Sequence, residues 1–323
     1  MQTSLFTTSK EITQADELPR RQKLGPLGRS EERFAWMMLT PVLLALLLVG
    51  VYPAITSIIY AFEKGGYYGI NMSFGGFTNF VRLKNDPQFW SSLKFSLLYT
   101  VITVSGQMIL GTALALLANL NFPGRWVLRA AILFPWVIPT ATNSVIWQYM
   151  FNDQYGMVNS VLIHLHLMSA THPVVWLGTA QSATWLIFIL AIWKANSLVA
   201  LLVLAGLQGI PTEIYEAARV DGATHIQTFA RITLPLLMPT LLVTMTLRTI
   251  ESLQAFDLII AFTNGGPGIS TQNLGLYIYT QISQYGNYGY GSAIVTVLMV
   301  ITLVFVVAYL SMLFRSNASE SRG

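Results

Sequence analysis

The chain has 323 residues, 54% of them hydrophobic and only 10% charged, with Lys+Arg 18 against Asp+Glu 14. A soluble domain carries about 25% charged residues, so the composition excludes an ordinary soluble globule, and a scattered net charge of +4 offers no basic patch for nucleic acid. With no cysteine there is no disulfide, thiol nucleophile or thiolate metal site, and the four histidines (164, 166, 172 and 225) argue against a dedicated metal enzyme.

In chain order, residues 1–33 are polar and mixed in charge, with Pro19, Gly25, Pro26 and Gly28, and read as a poorly ordered cytoplasmic tail. No charge occurs between Arg33 and Glu63, a block of 29 residues. About 20 apolar residues cross a bilayer, so this is a span, and it is too long for the apolar core of a cleavable signal. Charge-free blocks at 95–124 and 130–152 give the second and third spans. The fourth region, 174–210, is interrupted by Lys194 and reads as one broken helix. The fifth, 232–262, contains Arg248, Glu251 and Asp257, and the sixth is 293–314. The fold class expected is all-α: a polytopic membrane protein of six transmembrane helices, with a membrane domain over 34–314 and a short tail over 315–323. With six spans both termini share one side. That side holds 12 of the 18 Lys+Arg and the opposite side 4, the remaining two lying within spans. The positive-inside rule then puts both termini and the 211–231 loop in the cytoplasm.

That loop carries the strongest signal. Pro211 ends a membrane helix, Thr212 is placed to cap a new one, and Glu213 and Glu216 suit its positive N-terminal end. Ala217 and Ala218 give a low profile, and Gly222 permits a turn with positive φ. A second short helix is expected up to Phe229, with Leu234-Pro235 starting the next span. Two short helices outside the membrane with a small-residue face suit a groove in another protein.

The residues Glu216, Ala217, Ala218, Asp221, Gly222, Ala223, Phe229, Ile232, Leu234 and Pro235 resemble the EAA loop of ABC importer permeases. Phe256-Asp257, then Thr263-Asn264-Gly265-Gly266-Pro267 and Thr271, resemble the carbohydrate branch of that family, as do Phe77-Thr78-Asn79-Phe80 and Asp86-Pro87-Gln88-Phe89-Trp90. The resemblance covers about residues 33–314 and is nearest to the larger maltose permease subunit, without that subunit's outer insertion or extra early spans. It implies the importer core fold with a coupling helix, whose contacts to the ATPase are Glu216, Ala217, Ala218, Asp221, Gly222 and Ala223. It also implies a second homologous permease, two ATP-binding cassette subunits, an extracytoplasmic solute-binding protein and a bacterial inner membrane. The chain has no G-x-x-x-x-G-K-[ST] motif. It is therefore expected to hold no catalytic residue, metal or cofactor, with ATP and Mg bound by the partner ATPases.

A charge at mid-membrane costs about 2.5–3.5 kcal/mol even on the lenient insertion scale, so the intramembrane charges require a partner or a cavity. The resemblance aligns Lys194, Ala195, Leu198, Arg248, Ser252, Ala255 and Asn143 with the sugar site of the maltose subunit. Glu251 shares a helix face with Arg248, and Gln254 is a candidate for hydroxyl contacts. The maltose positions are neutral, whereas Lys194 and Arg248 are cations able to make charge-assisted hydrogen bonds to a carboxylate. An acidic oligosaccharide such as the polyuronate alginate follows. The alternatives are a neutral oligosaccharide or a glycerol phosphate ester, with Arg248 paired to Glu251 and Lys194 to Asp257, or both binding phosphate. Trp147, Trp193 and Tyr149 stack on sugar faces, belong to an interface belt or pack between helices. Asn196 bonds hydroxyls or a neighbouring helix. His164, His166 and His172 read as a solvated loop, and Gly106, Gly111, Ala113 and Ala115 as a close helix contact.

Overall fold

The computed structural model describes residues 26–65, 69–169 and 171–320. Most of the tail expected over 1–33, and the end of the one expected over 315–323, lie outside these residues. The chain divides into two compact units, Met1–Thr56 and Ser57–Gly323.

The first unit holds helix α1, Pro26–Ala45, followed by a π-helical turn at Leu46–Val51. Helix α2, Tyr52–Ala61, continues from it across the boundary. Every side chain from Arg33 to Pro53 is exposed, and the stretch is apolar on all sides, as a lipid-facing helix requires.

The second unit continues with strands β1, Glu63–Lys64, and β2, Ser73–Phe74, paired antiparallel. Helices α3, Thr78–Lys84, and α4, Pro87–Asn119, follow. Asp86 caps α4 by accepting from the Gln88 amide at 2.9 Å, with Pro87 in the first turn. Then come α5, Arg125–Val137, α6, Thr140–Met150, α7, Met157–His164, and α8, Ala180–Gln208. Helices α9, Thr212–Val220, and α10, His225–Thr228, lead through a π turn at Phe229–Thr233 into α11, Leu234–Leu253. The chain closes with α12, Asp257–Phe262, α13, Leu274–Tyr279, a π turn at Thr280–Gln284, and α14, Tyr288–Glu320. Among the described residues five helical stretches are long and apolar enough to cross a membrane, and α5 with α6 makes a sixth when counted as one bent span.

Four expectations are corrected. The block 130–152 is not one straight span: α5 and α6 meet at 95°. Pro139 has no amide and pushes the preceding residue out of helical space, and Ile138 is extended with ψ 127°. Lys194 does not break its helix, because lysine is a good helix former and its ammonium finds a partner, described below. The fifth block stops at Leu253 and restarts at Asp257, so Arg248 stands in the last turns of α11 rather than at mid-span. Asn273 Nδ2 donates to the Ala255 carbonyl exposed at this break. Finally, Thr212 is not a cap, since Pro211 occupies that position, and the helix expected up to Phe229 is not free-standing but runs on into α11.

Two of the π turns have one cause. Proline lacks an amide, and its ring collides with the carbonyl four residues back. Pro53 and Pro235 each follow a π turn, and in both the amide just before the proline bonds five residues back, Tyr52 to Leu47 O and Leu234 to Phe229 O. The widened turn absorbs the proline without ending the helix.

Helices α4 and α8 are packed along their length. A Cβ on Gly106 would fall 2.5 Å from Ile192 Cδ1, and one on Gly111 would fall 2.6 Å from Val199 Cβ. Small residues here let the backbones approach. Phe95, Tyr99, Ile187, Phe188, Leu190 and Phe262 form one core cluster, and Ala115, Ala118, Val199, Val203 and Leu237 another.

Candidate functional site

A cavity of about 580 Å³ opens where the break between α5 and α6 faces α8 and the end of α11. Residues 136–140 supply one wall, exposed there because the chain turns at Pro139. Ala191, Lys194 and Ala195 come from α8, and Arg248, Glu251 and Ser252 from α11. The break after α11 adds Gln254 and Ala255, α12 adds Asp257 and Leu258, and α4 adds Tyr99 and Gln107. Lys194 lies midway along the 29 residues of α8, about 21 Å before its end at Gln208.

Both cations are held by the chain itself. Arg248 is buried, 8% exposed. Its Nε donates to Gln107 Oε1 at 3.0 Å, and a terminal nitrogen donates to the Glu251 carboxylate, which remains about half exposed. Lys194 Nζ donates to the Ile138 carbonyl at 2.6 Å. With Asp257, the walls carry two cations and two carboxylates, so the cavity has no net formal charge.

Of the nine candidate substrate residues, Lys194, Ala195, Arg248, Glu251, Ser252, Gln254 and Ala255 are brought together on this wall, and Asn143 and Leu198 are not. Asn143 is 1% exposed and its Nδ2 makes no hydrogen bond. Tyr99, Gln107, Trp136, Thr140 and Asp257 belong to the wall without having been singled out for it. Gln107 was detectable in principle, as the one amide between residues 95 and 118 of a charge-free apolar block. Trp136 and Thr140 were not, because their place depends on a bend.

Trp147 and Trp193 pack together with ring centroids 5.5 Å apart, beside the first core cluster. Asn196 Nδ2 donates to the Trp193 carbonyl at 3.0 Å. His164 Nδ1 meets Ser160 O at 2.8 Å, and no group of three His, Asp or Glu able to hold a metal occurs among the described residues.

Helix α9 follows the end of α8 and is largely exposed. It closes in a Schellman motif: the Gly222 amide bonds to Arg219 O at 3.1 Å and the Ala223 amide to Ala218 O at 3.0 Å. Gly222 has φ +75°, a conformation open to glycine at little cost. Thr224 then caps α10 in a capping box with Gln227. Glu216, Ala217, Asp221 and Gly222 are exposed, Ala223 is half-buried and Ala218 is buried. Val220 and Ile226 are 87% and 80% exposed, large apolar side chains that suit a protein partner.

At the opposite end of the bundle Asp86 ties three elements together. Its carboxylate accepts from the hydroxyls of Tyr277 and Tyr290, and the Arg82 guanidinium lies 4.0 Å from the Tyr290 ring centroid. Burial pushes the Asp86 carboxyl upward, but the two hydroxyls and the amides of Gln88 and Phe89 outweigh it, so its pKa lies below the usual carboxylate value. Burial, then the bond to Asp86, pushes the Tyr277 hydroxyl up to about 12. The family block near residue 265 is a self-bonded turn: Gly265 has φ +83°, and Thr271 Oγ1 contacts Thr263 Oγ1 and the Gly266 carbonyl, each at 2.8 Å.

A family model described as "Binding-protein-dependent transport system inner membrane component" matches residues 107–317. The Sulfoquinovosyl glycerol transport system permease protein SmoG of Agrobacterium fabrum is 38% identical over 296 residues, 91% of this chain and 94% of that protein. The Trehalose/maltose transport system permease protein MalF of Thermococcus litoralis is 38% identical over 280 residues, 87% of this chain and 93% of that protein. Among solved structures, a bacterial ABC transporter involved in the import of the acidic polysaccharide alginate has a chain with TM-score 0.77 and 24% identity, covering 90% of this chain and 99% of that one. At that identity the likeness is one of fold.

Proposed function

The chain belongs to the binding-protein-dependent transport system inner membrane components, a sugar permease subunit and not an enzyme, and on that premise we propose that it passes an anionic oligosaccharide across the membrane. The observation that carries the proposal is the pair of cations, Lys194 and Arg248, on one cavity wall near the middle of α8. Both offer charge-assisted hydrogen bonds to a carboxylate or sulfonate. SmoG is named for sulfoquinovosyl glycerol, and the alginate importer is involved in the import of an acidic polysaccharide. An alginate-like polyuronate is the specific substrate inferred.

The mechanism follows from what the chain lacks and what it exposes. It has no P-loop sequence, so ATP and Mg are held by two partner ATPase subunits. The exposed corner of α9 and α10, with Glu216, Ala217, Asp221, Gly222, Val220 and Ile226, docks in a cleft of one of them. A second, homologous permease completes the path, and a solute-binding protein delivers sugar on the side opposite α9. Closure of the ATPases pushes α9, which follows α8 directly, and α10, which is continuous with α11. These are the two helices that carry Lys194 and Arg248, so motion at the corner reaches the cavity through rigid elements. Both termini are cytoplasmic, from the charge asymmetry of the loops, and the membrane is the bacterial inner membrane, in keeping with the family's description.

A second reading is favoured by one contact. Glu251 already neutralises Arg248, which suits a neutral sugar of the kind the MalF name prints, trehalose or maltose. ATPase activity of the complex, purified on this chain and reconstituted with its binding protein, separates the two. Stimulation by a uronate oligosaccharide and not by a neutral one of equal length supports the anionic substrate. Stimulation by the neutral sugar alone refutes it and leaves the two cations as packing partners.

A further inference from the structure

A second cavity, of about 380 Å³, lies at the far end of α6 from the central one. Helix α6 begins at Thr140, on the central wall, and its last turn carries Gln148 and Tyr149 into this second space. Trp176, four residues before α8 begins, completes the wall. The cavity therefore sits at the start of α8, whereas α9 follows its end, about 43 Å away. It is on the side where a binding protein delivers its load.

The lining is mixed in a particular way. Tyr149 and Tyr155 are 60% and 63% exposed, with ring centroids 6.0 Å apart. The Trp176 indole is fixed by donating to Asn159 Oδ1 at 2.7 Å and by an edge contact with Phe151. Gln148 Nε2 donates to the Phe262 carbonyl at 3.4 Å, which leaves its oxygen free to accept. Asn152 Oδ1 accepts from the amides of Gln154 and Tyr155 at 2.9 and 3.2 Å, which leaves its NH₂ free to donate. The half-buried Asp153 carboxylate has no ion-pair partner among the described residues.

Both tyrosine rings stand open on this cavity, and one carboxylate without histidine is too few ligands for a metal. A sugar ring matches the set. Its C–H face packs on an aromatic plane, and its hydroxyls donate to a carboxylate and exchange hydrogen bonds with amides. The volume falls within the roughly 300–1,000 Å³ of small-molecule sites. We propose that this cavity is an outer carbohydrate subsite, taking one sugar ring between the binding protein and the central cavity. Tyr149 and Tyr155 supply the stacking surface, and Asp153, Gln148 and Asn152 bind the hydroxyls. The proposal rests on the sugar-import reading but not on the charge of the substrate.

The test is sugar-stimulated ATPase activity and uptake by the full complex with its binding protein, using trehalose and a uronate disaccharide as probes. If the wild-type complex responds to neither, the reading that it carries a sugar of the trehalose or uronate kind fails, and the subsite, which rests on it, falls too. If it responds, Tyr149→Ala, Tyr155→Ala and Asp153→Asn each lower turnover about tenfold, the scale of one lost contact. KM for the loaded binding protein stays unchanged, and Tyr155→Phe recovers at least half the turnover. Turnover within about twofold of wild type overturns the proposal. So does a change confined to that KM, which would make the cavity a protein-docking surface. A second measurement covers variants that fail to assemble. The chain has no cysteine, so Tyr155→Cys gives it a single thiol whose maleimide labelling is read on this chain's band. Saturating sugar should slow labelling at least threefold, and equal rates with and without sugar refute the subsite.

Discussion

Glu251→Gln is the most revealing single change, because it removes an anion from the central wall while keeping its shape. Glu251 occupies Arg248, so an incoming carboxylate has to displace it. Two unit charges 4 Å apart interact by about 4 kcal/mol at an effective dielectric of 20, whereas exposed pairs are worth about 0.2–1 kcal/mol. Here the side chains are 9% and 54% exposed, which puts the pair between these limits, near 1.5 kcal/mol. Freeing Arg248 of that competitor should therefore tighten anionic sugar about tenfold. The assay is equilibrium binding of a uronate disaccharide, and of a neutral disaccharide as control, to the purified complex trapped with ATP and vanadate. The expected result is a roughly tenfold lower Kd for the uronate with the neutral sugar unchanged. Unchanged or weaker uronate binding, or an equal shift for both sugars, would refute the exchange of Glu251 for substrate.

Lys194→Ala and Arg248→Ala should each cut uronate-stimulated ATPase activity at least tenfold, with a stability loss of about 1–3 kcal/mol from the Ile138 carbonyl or Gln107 left without its donor, read by thermal unfolding; unaltered stimulation would make both charges structural. Gly222→Asp should abolish sugar stimulation or release the ATPase on purification, since a Cβ at φ +75° costs about 1–2 kcal/mol and distorts the exposed corner, while the spans keep their helical circular dichroism; normal assembly and transport would disprove the docking assignment. Asp86 has a lowered folded pKa, so the stability it contributes is present above its unfolded value and lost as pH falls through the folded one. Tm of the wild type should drop more steeply between pH 5 and pH 3, about, than that of Asp86→Asn, whose loss at neutral pH is about 1.5–3 kcal/mol for bonds to a charged group; parallel curves would remove Asp86 from the acid response. For Tyr277, raised to about 12, the sign reverses: its contribution is complete below the ordinary value of 10.0 and is lost as pH rises through about 12.

The sequence was informative where physics acts locally. Uncharged blocks longer than a bilayer needs located the spans, because no other environment tolerates them. Pro211, Gly222 and the small residues between them marked α9, because capping and turn chemistry is set by residues a few positions apart. Gly106 and Gly111 marked a close helix contact, because small residues let backbones approach, though its partner α8 is set by the fold. What could not be read was set by tertiary partners. Lys194 looked like a break, yet the carbonyl that satisfies it belongs to Ile138, 56 positions away. Prolines at 53, 135, 139 and 235 look alike in sequence, but only Pro139 separates two helices, while π turns absorb Pro53 and Pro235. Trp136, Thr140 and Gln107 joined the central wall only through that bend and the α4 to α8 packing. Asn143 and Leu198 came from the family resemblance, which says neither where the bend at Pro139 turns α6 nor how far along α8 the cavity extends.

The bend and the lysine explain each other. Pro139 cannot bond back to the carbonyl four residues before it, and the 95° turn removes Ile138 from any helical ladder, leaving its oxygen at the cavity with no intrahelical donor. A bare carbonyl at that depth is costly, and so is an ammonium without an acceptor. The 2.6 Å bond between them offsets both costs at once. Arg248 is satisfied in the same manner by Gln107 and Glu251, so the cavity is electrically closed on itself. Substrate can then gain from either cation only if these internal bonds open. The Ile138 carbonyl lies at the joint between α5 and α6, while Lys194 rides on α8. A relative movement of these elements would open the Lys194 bond while leaving the ammonium on the cavity wall. On the anionic-substrate proposal such a cavity would bind an anion weakly with the joint closed and strongly with it open, which is the differential affinity that a transport cycle needs if ligand and conformation are to be coupled.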